Sequence, residues 1–264
     1  MPSAVRLAPL AFGFPVIGLL ACAESPSHPQ VPAVVMTVPA TPPPEPVGSL
    51  MEQGDAPDSF APEWAPGDPV PTAWLHPDQA VEPAPERFNV VFTTTKGVFA
   101  VRVVRAWAPH GADRFYNLVR MGYYTDIAVF RAIPGFMVQF GIHGVPEVNE
   151  VWREARIPDD PVVRSNERGA VTFAMAGPGS RTVQLFINTV DNARLDAMSF
   201  APFGEVVAGM SVVDSLYAGY GEGAPMGAGP SQADLQREGN PYVRAGFPKI
   251  DFVTAVQLAN GSAR

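Results

Sequence analysis

The sequence has 264 residues, with 30 prolines, one cysteine, four histidines and a formal net charge of −8 at pH 7. A single cysteine excludes a disulfide framework and argues against a zinc site built from Cys and His. The charge is uneven, because residues 23–86 hold ten acidic and no basic side chains, whereas residues 87–264 hold 17 basic and 16 acidic ones. The nearly neutral C-terminal part has no basic surface for a nucleic acid, so we expect no nucleic-acid partner.

Residues 1–22 have the pattern of an export signal. Arg6 precedes an apolar run over residues 7–21 that prolines and glycines interrupt, so the run is too short and too broken for a good membrane-spanning helix. It ends in Leu19-Leu20-Ala21-Cys22, which resembles the bacterial lipobox, whose cysteine becomes the lipid-modified first residue of the mature chain. We therefore predict a signal peptide over 1–22 with lipidation at Cys22. The alternative is an ordinary cleaved signal peptide with an incidental cysteine.

Both interpretations place the protein in the bacterial cell envelope, on the periplasmic side. Lipidation would make the lipid anchor its only contact with a membrane. The residue that follows the cysteine is Ala23 and not Asp. By resemblance to other lipoproteins, this permits sorting to the outer membrane.

Residues 23–86 are predicted to be a disordered, acidic linker. They hold 16 of the 30 prolines, and such a composition cannot bury enough apolar surface to offset the entropy of ordering the chain. Trp64 and Trp74 do not suit a pure spacer, so we expect one of them to pack loosely on the folded domain.

Residues 87–264 are long enough for one well-buried core. Alternating apolar residues over 88–94 and 99–103, around the turn Thr95-Lys96-Gly97, predict a β-hairpin. Pro109 opens a helical pattern that reaches Met121, and the capping-box pattern Ser211-Val212-Val213-Asp214 predicts a second helix ending at Gly219 or Gly221. Further strands are predicted at 128–133, 136–141, 170–174, 184–189, 203–207 and 250–257. Many short strands with two helices indicate a mainly β fold, a closed antiparallel barrel capped by the helices.

The motifs of several enzyme classes are missing from this domain. No serine lies in a G-x-S-x-G turn, and the glycine-rich stretch at 177–180 lacks the lysine of a phosphate-binding loop. The glycine-rich stretch at 219–229 contains Glu222 and no basic residue, which argues against anion binding there. Asp159 and Asp160 are expected to cap a turn. We therefore expect no metal and no cofactor, and chemistry that needs no nucleophile.

Two blocks of the sequence carry a family resemblance. Residues 130–141 read FRAIPGFMVQFG, and residues 169–189 read GAVTFAMAGPGSRTVQLFINT. Together they resemble the signature blocks of the cyclophilins, the peptidyl-prolyl cis-trans isomerases (rotamases) built on an eight-stranded barrel with two helices. Matching features extend from Phe88 to Leu258. The resemblance implies an isomerase domain over 87–264 that acts on proline-containing polypeptide clients, assists protein folding in the cell envelope and needs no cofactor. We expect a monomer.

The resemblance also implies a set of site residues. It assigns the catalytic role to Arg131. Small barrels are filled inside by side chains, so the substrate pocket should lie on the outer face, with several apolar side chains partly exposed. The implied substrate-binding residues are the apolar Phe136, Met137, Phe186, Leu195 and Phe200, the polar Gln139 and Gln184, and the backbone of Ala174 and Met175.

Two positions depart from the family pattern. Arg194 stands where many members have tryptophan, which puts cyclosporin binding in doubt, and Phe200 replaces a histidine at the pocket edge. These departures keep an alternative open, in which the domain is a non-catalytic module that binds proline peptides, or a tethered chaperone or scaffold. A further hypothesis is self-regulation, in which X-Pro sites of the linker occupy the groove at high local concentration.

Overall fold

The computed structural model describes residues 64–259, so the predicted signal segment, Cys22 and most of the predicted linker lie outside the described residues. In this range the strands are β1 Arg87–Thr94, β2 Gly97–Val104, β3 Ile127–Ala128, β4 Arg131–Ile133, β5 Met137–Phe140, β6 Ala170–Phe173, β7 Leu185–Asn188, β8 Pro202–Ala208 and β9 Phe252–Leu258. The α-helices are α1 Pro109–Arg120, α2 Pro146–Trp152, α3 Met210–Ser215, α4 Gln232–Glu238 and α5 Asn240–Gly246. Short 3-10 segments lie at Thr72–Leu75, Pro77–Gln79, Arg105–Trp107 and Ala193–Met198.

The strands of residues 64–259 form one curled antiparallel sheet in the order β3-β9-β1-β2-β8-β6-β7-β5-β4. The predicted hairpin is confirmed, since β1 and β2 pair over their full lengths from Arg87 opposite Val104 to Thr94 opposite Gly97. A closed barrel of eight strands was expected, and the structure instead has a nine-stranded half-barrel. The difference arises at 128–133, where one predicted strand is two short ones.

These two short strands are the edges of the sheet. β3 pairs with β9 through Ile127 opposite Val253, and β4 pairs with β5 through Arg131 opposite Gln139. Two residues, Val129 and Phe130, connect β3 to β4, so the chain itself joins the two edge strands. In a closed barrel a hydrogen-bonded ladder would join them. Within the described residues no ladder joins β3 to β4.

The helices also differ in part from expectation. The predicted helix from Pro109 is confirmed as α1, whereas the second predicted helix, α3, covers only Met210–Ser215. Its N-cap is Gly209, at φ 77°, so the expected capping box with Ser211 does not form. The described residues contain three α-helices that the sequence pattern did not predict, namely α2, α4 and α5.

Aromatic side chains fill the main core, which lies on one face of the sheet. Phe92 of β1 stacks on Phe99 of β2 with ring centroids 4.8 Å apart. Phe115 of α1 packs 4.9 Å from Phe203 of β8, so the helix covers this face of the sheet. The burial of apolar rings such as these favours folding, because it removes a large apolar area from water.

Residues 64–86 are ordered on the domain, so the predicted disordered linker does not extend through them. Trp74 is fully buried, and its indole Nε1 donates to the carbonyl of Met121 at 2.6 Å. The Trp152 indole donates in turn to the carbonyl of Trp74 at 2.7 Å. Trp64 is half-buried and packs edge-on against Trp74, with centroids 5.2 Å apart. The expected loose contact of one tryptophan is therefore a tight one, because the indole ring completes the core beside α2.

The acidic pair at 159–160 has a larger role than capping a turn. Asp160 accepts hydrogen bonds from the backbone N–H groups of His110 and Gly111, the first turn of α1, at 3.0 and 2.9 Å. Its carboxylate also pairs with buried Arg181 at 3.0 Å. The negative charge therefore stabilises the helix N-terminus, where the backbone dipoles favour an anion.

Candidate active site

The side chains of β4, β5 and β7 alternate between the two faces of the sheet. On one face, Val138, Phe140, Leu185 and Ile187 belong to the main core. On the other face, Met137 and Phe186 form a separate apolar cluster with Leu195 of the 3-10 segment Ala193–Met198. Because the two clusters are distinct, the second one lies outside the main core, as the sequence argument for an outer-face site requires.

A cavity of about 340 Å³ opens on this outer face, and we call it the outer-face pocket. All ten residues that the family resemblance implies line it: Arg131, Phe136, Met137, Gln139, Ala174, Met175, Gln184, Phe186, Leu195 and Phe200. Four further lining residues were not predicted: Ala176, Ser180, Thr182 and Gln232. Gln232 begins α4, which had no sequence prediction.

The floor of the outer-face pocket is apolar and more buried than expected. Met137, Phe186 and Leu195 are each at most 5% exposed, whereas several of these side chains were expected to be partly exposed. Phe136 and Phe200 are half-buried, and Phe200 lies edge-on to Phe186 with centroids 5.6 Å apart. These two rings at the wall cover the floor, which explains its low exposure.

The segment that carries Leu195 and Phe200 is fixed by polar contacts. Asp196 accepts hydrogen bonds from the Ser165 hydroxyl at 2.5 Å and from the Asn166 amide at 2.8 Å. The same Asn166 amide donates to the carbonyl of Phe200 at 2.8 Å. Burial alone would raise the pKa of Asp196, but these hydrogen bonds outweigh it and lower that pKa below its ordinary value.

A chain of polar groups runs along the other side of the pocket. Arg131 donates through Nη1 to Oε1 of Gln139 at 2.9 Å, and the Gln139 amide donates to Oε1 of Gln184 at 2.9 Å. Gln184 therefore holds another pocket side chain, that of Gln139. Nε and Nη2 of Arg131 donate to Glu222 at 2.7 and 2.6 Å.

Sequence reasoning missed Glu222. It lies 91 residues from Arg131 along the chain, in the glycine-rich stretch that was considered only for anion binding. The hydrogen bonds from Arg131 lower the pKa of the Glu222 carboxyl, so it is ionised at neutral pH. The available signal was an acid alone in a loop without basic residues, and no spacing rule connects it to β4.

Arg194, at the position where the resemblance expects tryptophan, is exposed at the pocket edge. Its guanidinium carbon lies 4.7 Å from the centre of the Phe136 ring, and that of Arg131 lies 6.0 Å from the same ring. A flat guanidinium on an aromatic face is a cation–π contact. The edge of the pocket is therefore charged where an indole would be apolar.

Residues 64–259 lack the features of two other functional classes, a metal site and a membrane span. No three His, Cys, Asp or Glu side chains among residues 64–259 are grouped so that they could hold a metal ion. Every helix in that range is too short or too polar to cross a lipid bilayer. What the outer-face pocket offers is an apolar floor beside amide and guanidinium donors.

Comparison with known proteins identifies the family of this fold. The family described as "Cyclophilin type peptidyl-prolyl cis-trans isomerase/CLD" matches residues 89–230. Peptidyl-prolyl cis-trans isomerase A of Dickeya dadantii is 34% identical over 139 residues, which cover 48% of this chain and 70% of that protein. Peptidyl-prolyl cis-trans isomerase B of Escherichia coli K12 is 29% identical over 157 residues, or 56% and 93% of the two chains. A crystal structure of a Cryptosporidium parvum cyclophilin-type isomerase matches with a TM-score of 0.50 and 16% identity over 66% of this chain and 99% of that one, which supports the fold alone.

Proposed function

The chain belongs to the cyclophilin family and is a peptidyl-prolyl cis-trans isomerase, and we propose that it turns X-Pro bonds in the outer-face pocket with Arg131 as the catalytic residue. The observation that carries this proposal is the position of the Arg131 guanidinium. It lines the same cavity as the apolar floor formed by Met137, Phe186 and Leu195. A proline ring on this floor would lie within the cavity that Arg131 lines.

The reaction requires no covalent step. Rotation about a peptide C–N bond has a barrier of about 18–20 kcal/mol, because the rotation breaks the amide resonance. An enzyme accelerates it by binding the twisted amide more tightly than either planar form. The twisted nitrogen regains a lone pair that can accept a hydrogen bond, and a planar amide nitrogen scarcely offers one.

Arg131 can donate that hydrogen bond. A charge-assisted bond of this kind contributes about 1.5–3 kcal/mol, or roughly 10- to 100-fold in rate. Gln139, which accepts from Arg131, and the backbone at Ala174 and Met175 would hold the residue before proline. The Ala174 N–H already donates to the carbonyl of Gln184 at 2.9 Å. We therefore assign the carbonyl of Ala174 as the group that contacts the substrate. The remaining acceleration comes from positioning and from the exclusion of water.

The variant Arg131→Ala tests the catalytic assignment. We expect kcat/KM on a proline peptide, measured by protease-coupled cleavage, to fall at least about tenfold, because one charge-assisted hydrogen bond to the transition state is lost. Arg168→Ala is the matched control, since Arg168 also forms a two-point ion pair, with Asp214 at the surface. Unchanged activity of Arg131→Ala would refute the assignment. Peptide binding by the wild type without any acceleration would instead favour the non-catalytic binding module.

We also propose that the isomerase assists protein folding in the cell envelope, tethered through Cys22. Support comes from the sequence alone, namely the apolar run that ends in Leu-Ala-Cys and the proline-rich segment that follows it. A lipid anchor there would leave the domain free to act on exported clients. The variant Cys22→Ser should be released from the membrane fraction of a bacterial host. The variant and the wild type are also compared for incorporation of labelled palmitate. Equal labelling of the two would contradict lipidation at this residue.

A further inference from the structure

The ion pair between Arg131 and Glu222 has a geometry that fixes the guanidinium. Oε1 of Glu222 accepts from Nε of Arg131 at 2.7 Å, and Oε2 accepts from Nη2 at 2.6 Å. Two parallel hydrogen bonds between planar groups define the orientation of the guanidinium as well as its distance. The side chain of Arg131 is 22% exposed and that of Glu222 is 38% exposed, so the pair is partly shielded from bulk solvent.

The loop that carries Glu222 is held in place by its own backbone. The Glu222 carbonyl accepts from the N–H of Gly229 at 2.8 Å, and the N–H of Ala224 donates to the Gly229 carbonyl at 3.0 Å. The N–H of Gly223 donates to Oε1 of Glu222 at 3.0 Å, which orients the carboxylate from its own loop. The loop is thus a closed structure with a fixed carboxylate.

The same loop is joined directly to the strand of the catalytic arginine. Gly221, the residue directly before Glu222, forms an antiparallel bridge with Ala132, the residue directly after Arg131. Glycine is required at Gly227, where a Cβ atom would lie 2.3 Å from the Glu222 carbonyl oxygen. The sequence of the loop therefore permits the close backbone packing that keeps Glu222 beside β4.

The ion pair leaves part of the guanidinium free for substrate. An arginine has five N–H donors. Glu222 takes one on Nε and one on Nη2, and Gln139 takes one on Nη1. Two donors remain, one on each terminal nitrogen of Arg131. The Glu222 carboxylate also balances the positive charge of Arg131 beside the apolar floor. The contacts with Glu222 and Gln139 thus orient the guanidinium and leave one N–H on each terminal nitrogen for a substrate group.

We propose that Glu222 is a positioning residue, which holds the Arg131 guanidinium in the orientation that donates to the twisted prolyl nitrogen. This inference rests on the proposed role of Arg131 and adds the group that orients it. Its physical basis is that a long arginine side chain without such a partner samples many rotamers, so the competent orientation would be only a fraction of its population.

The variant Glu222→Gln tests this role, since the amide keeps the size of the side chain but can accept only one of the two hydrogen bonds. We expect kcat on a proline peptide to fall about five- to tenfold with KM changed less than about twofold, because the oriented donor matters in the transition state. Glu238→Gln is the matched control, since it makes the same substitution on α4, where Glu238 forms an ion pair with exposed Arg237 and with no other residue of 64–259. A higher kcat for Glu222→Gln would overturn the proposal, since Glu222 would then restrain Arg131.

A double-mutant cycle separates positioning from a structural role of the loop. If Glu222 acts through Arg131, adding Glu222→Gln to Arg131→Ala should cause no further loss of kcat. An equal fold-loss in both backgrounds would overturn positioning. The two proposals also fail in different ways. Full activity of Arg131→Ala refutes the catalytic role of Arg131, whereas a tenfold loss in that variant with an unchanged Glu222→Gln refutes positioning alone.

Discussion

Replacement of Trp74 by alanine should destabilise the domain strongly, although residues 23–86 have the composition of a linker. The indole is fully buried, with the rings of Trp64 and His143 edge-on to it, and its N–H donates to the Met121 carbonyl at 2.6 Å. Truncation of a buried tryptophan to alanine costs about 3–5 kcal/mol, because transfer energy is lost and a cavity is left. For a domain of 150–250 residues this corresponds to a decrease in Tm of roughly 6–20 °C.

The measurement is denaturant and thermal unfolding followed by circular dichroism, on Trp74→Ala and on the control Trp107→Ala. Trp107 is half-buried, with the Arg164 guanidinium 4.7 Å from its ring, so its loss should cost no more than about 1 kcal/mol. A protein starting at residue 87 should be destabilised at least as much as Trp74→Ala, relative to one starting at residue 64. Equal unfolding free energies for these two truncated chains would refute the reasoning.

Two other predictions concern buried ionisable groups. Burial lowers the pKa of His143 from 6.5 to about 3, so the folded state keeps it neutral while the unfolded chain binds a proton below pH 6.5. The free energy of unfolding should therefore decrease as the pH falls through 6.5 towards 3. The expected loss between pH 6.5 and 5.0 is about 2 kcal/mol. Urea unfolding at these two pH values should show this loss. The variant His143→Asn should reduce the loss, since its amide oxygen can replace Nδ1 as acceptor for the Val145 N–H. An equal loss in both proteins would contradict the assignment. Asp160→Asn should cost about 1.5–3 kcal/mol, because it removes the more buried of the two carboxylates that pair with buried Arg181 and leaves Asp159 at 3.4 Å. Asp214→Asn, which removes a carboxylate from an exposed pair, should cost less than about 1 kcal/mol in the same unfolding assay, and similar values for the two would show that burial is not the cause.

Local pattern was sufficient for the strands that build the site. Alternation along 136–141 and 184–189 predicts which side chains share a face, and in the structure Met137 and Phe186 do share the outer face. The period of two is a property of the extended backbone itself, so it can be recognised without knowledge of the fold. The same holds for α1, whose proline at the first position and apolar face are local signals.

Local pattern failed where the structure depends on distant partners. The stretch at 128–133 reads as one strand, but its two halves pair with β9 and β5, which lie at opposite ends of the sheet order. α4 and α5 are seven residues each, and isolated helices of that length are marginal in water, so packing between helices and on α2 stabilises them more than propensity does.

The sequence by itself determined the charge division of the chain, the two signature blocks and ten of the fourteen residues that line the outer-face pocket. The charge division follows from composition, and the pocket residues are what the resemblance of short motifs to the cyclophilin blocks implies, so both can be recognised from local sequence. Only the tertiary structure decided that Trp74 belongs to the core and that Glu222 holds Arg131. Contacts between residues so far apart in the chain depend on the path of every loop between them, and no local propensity or spacing encodes that path.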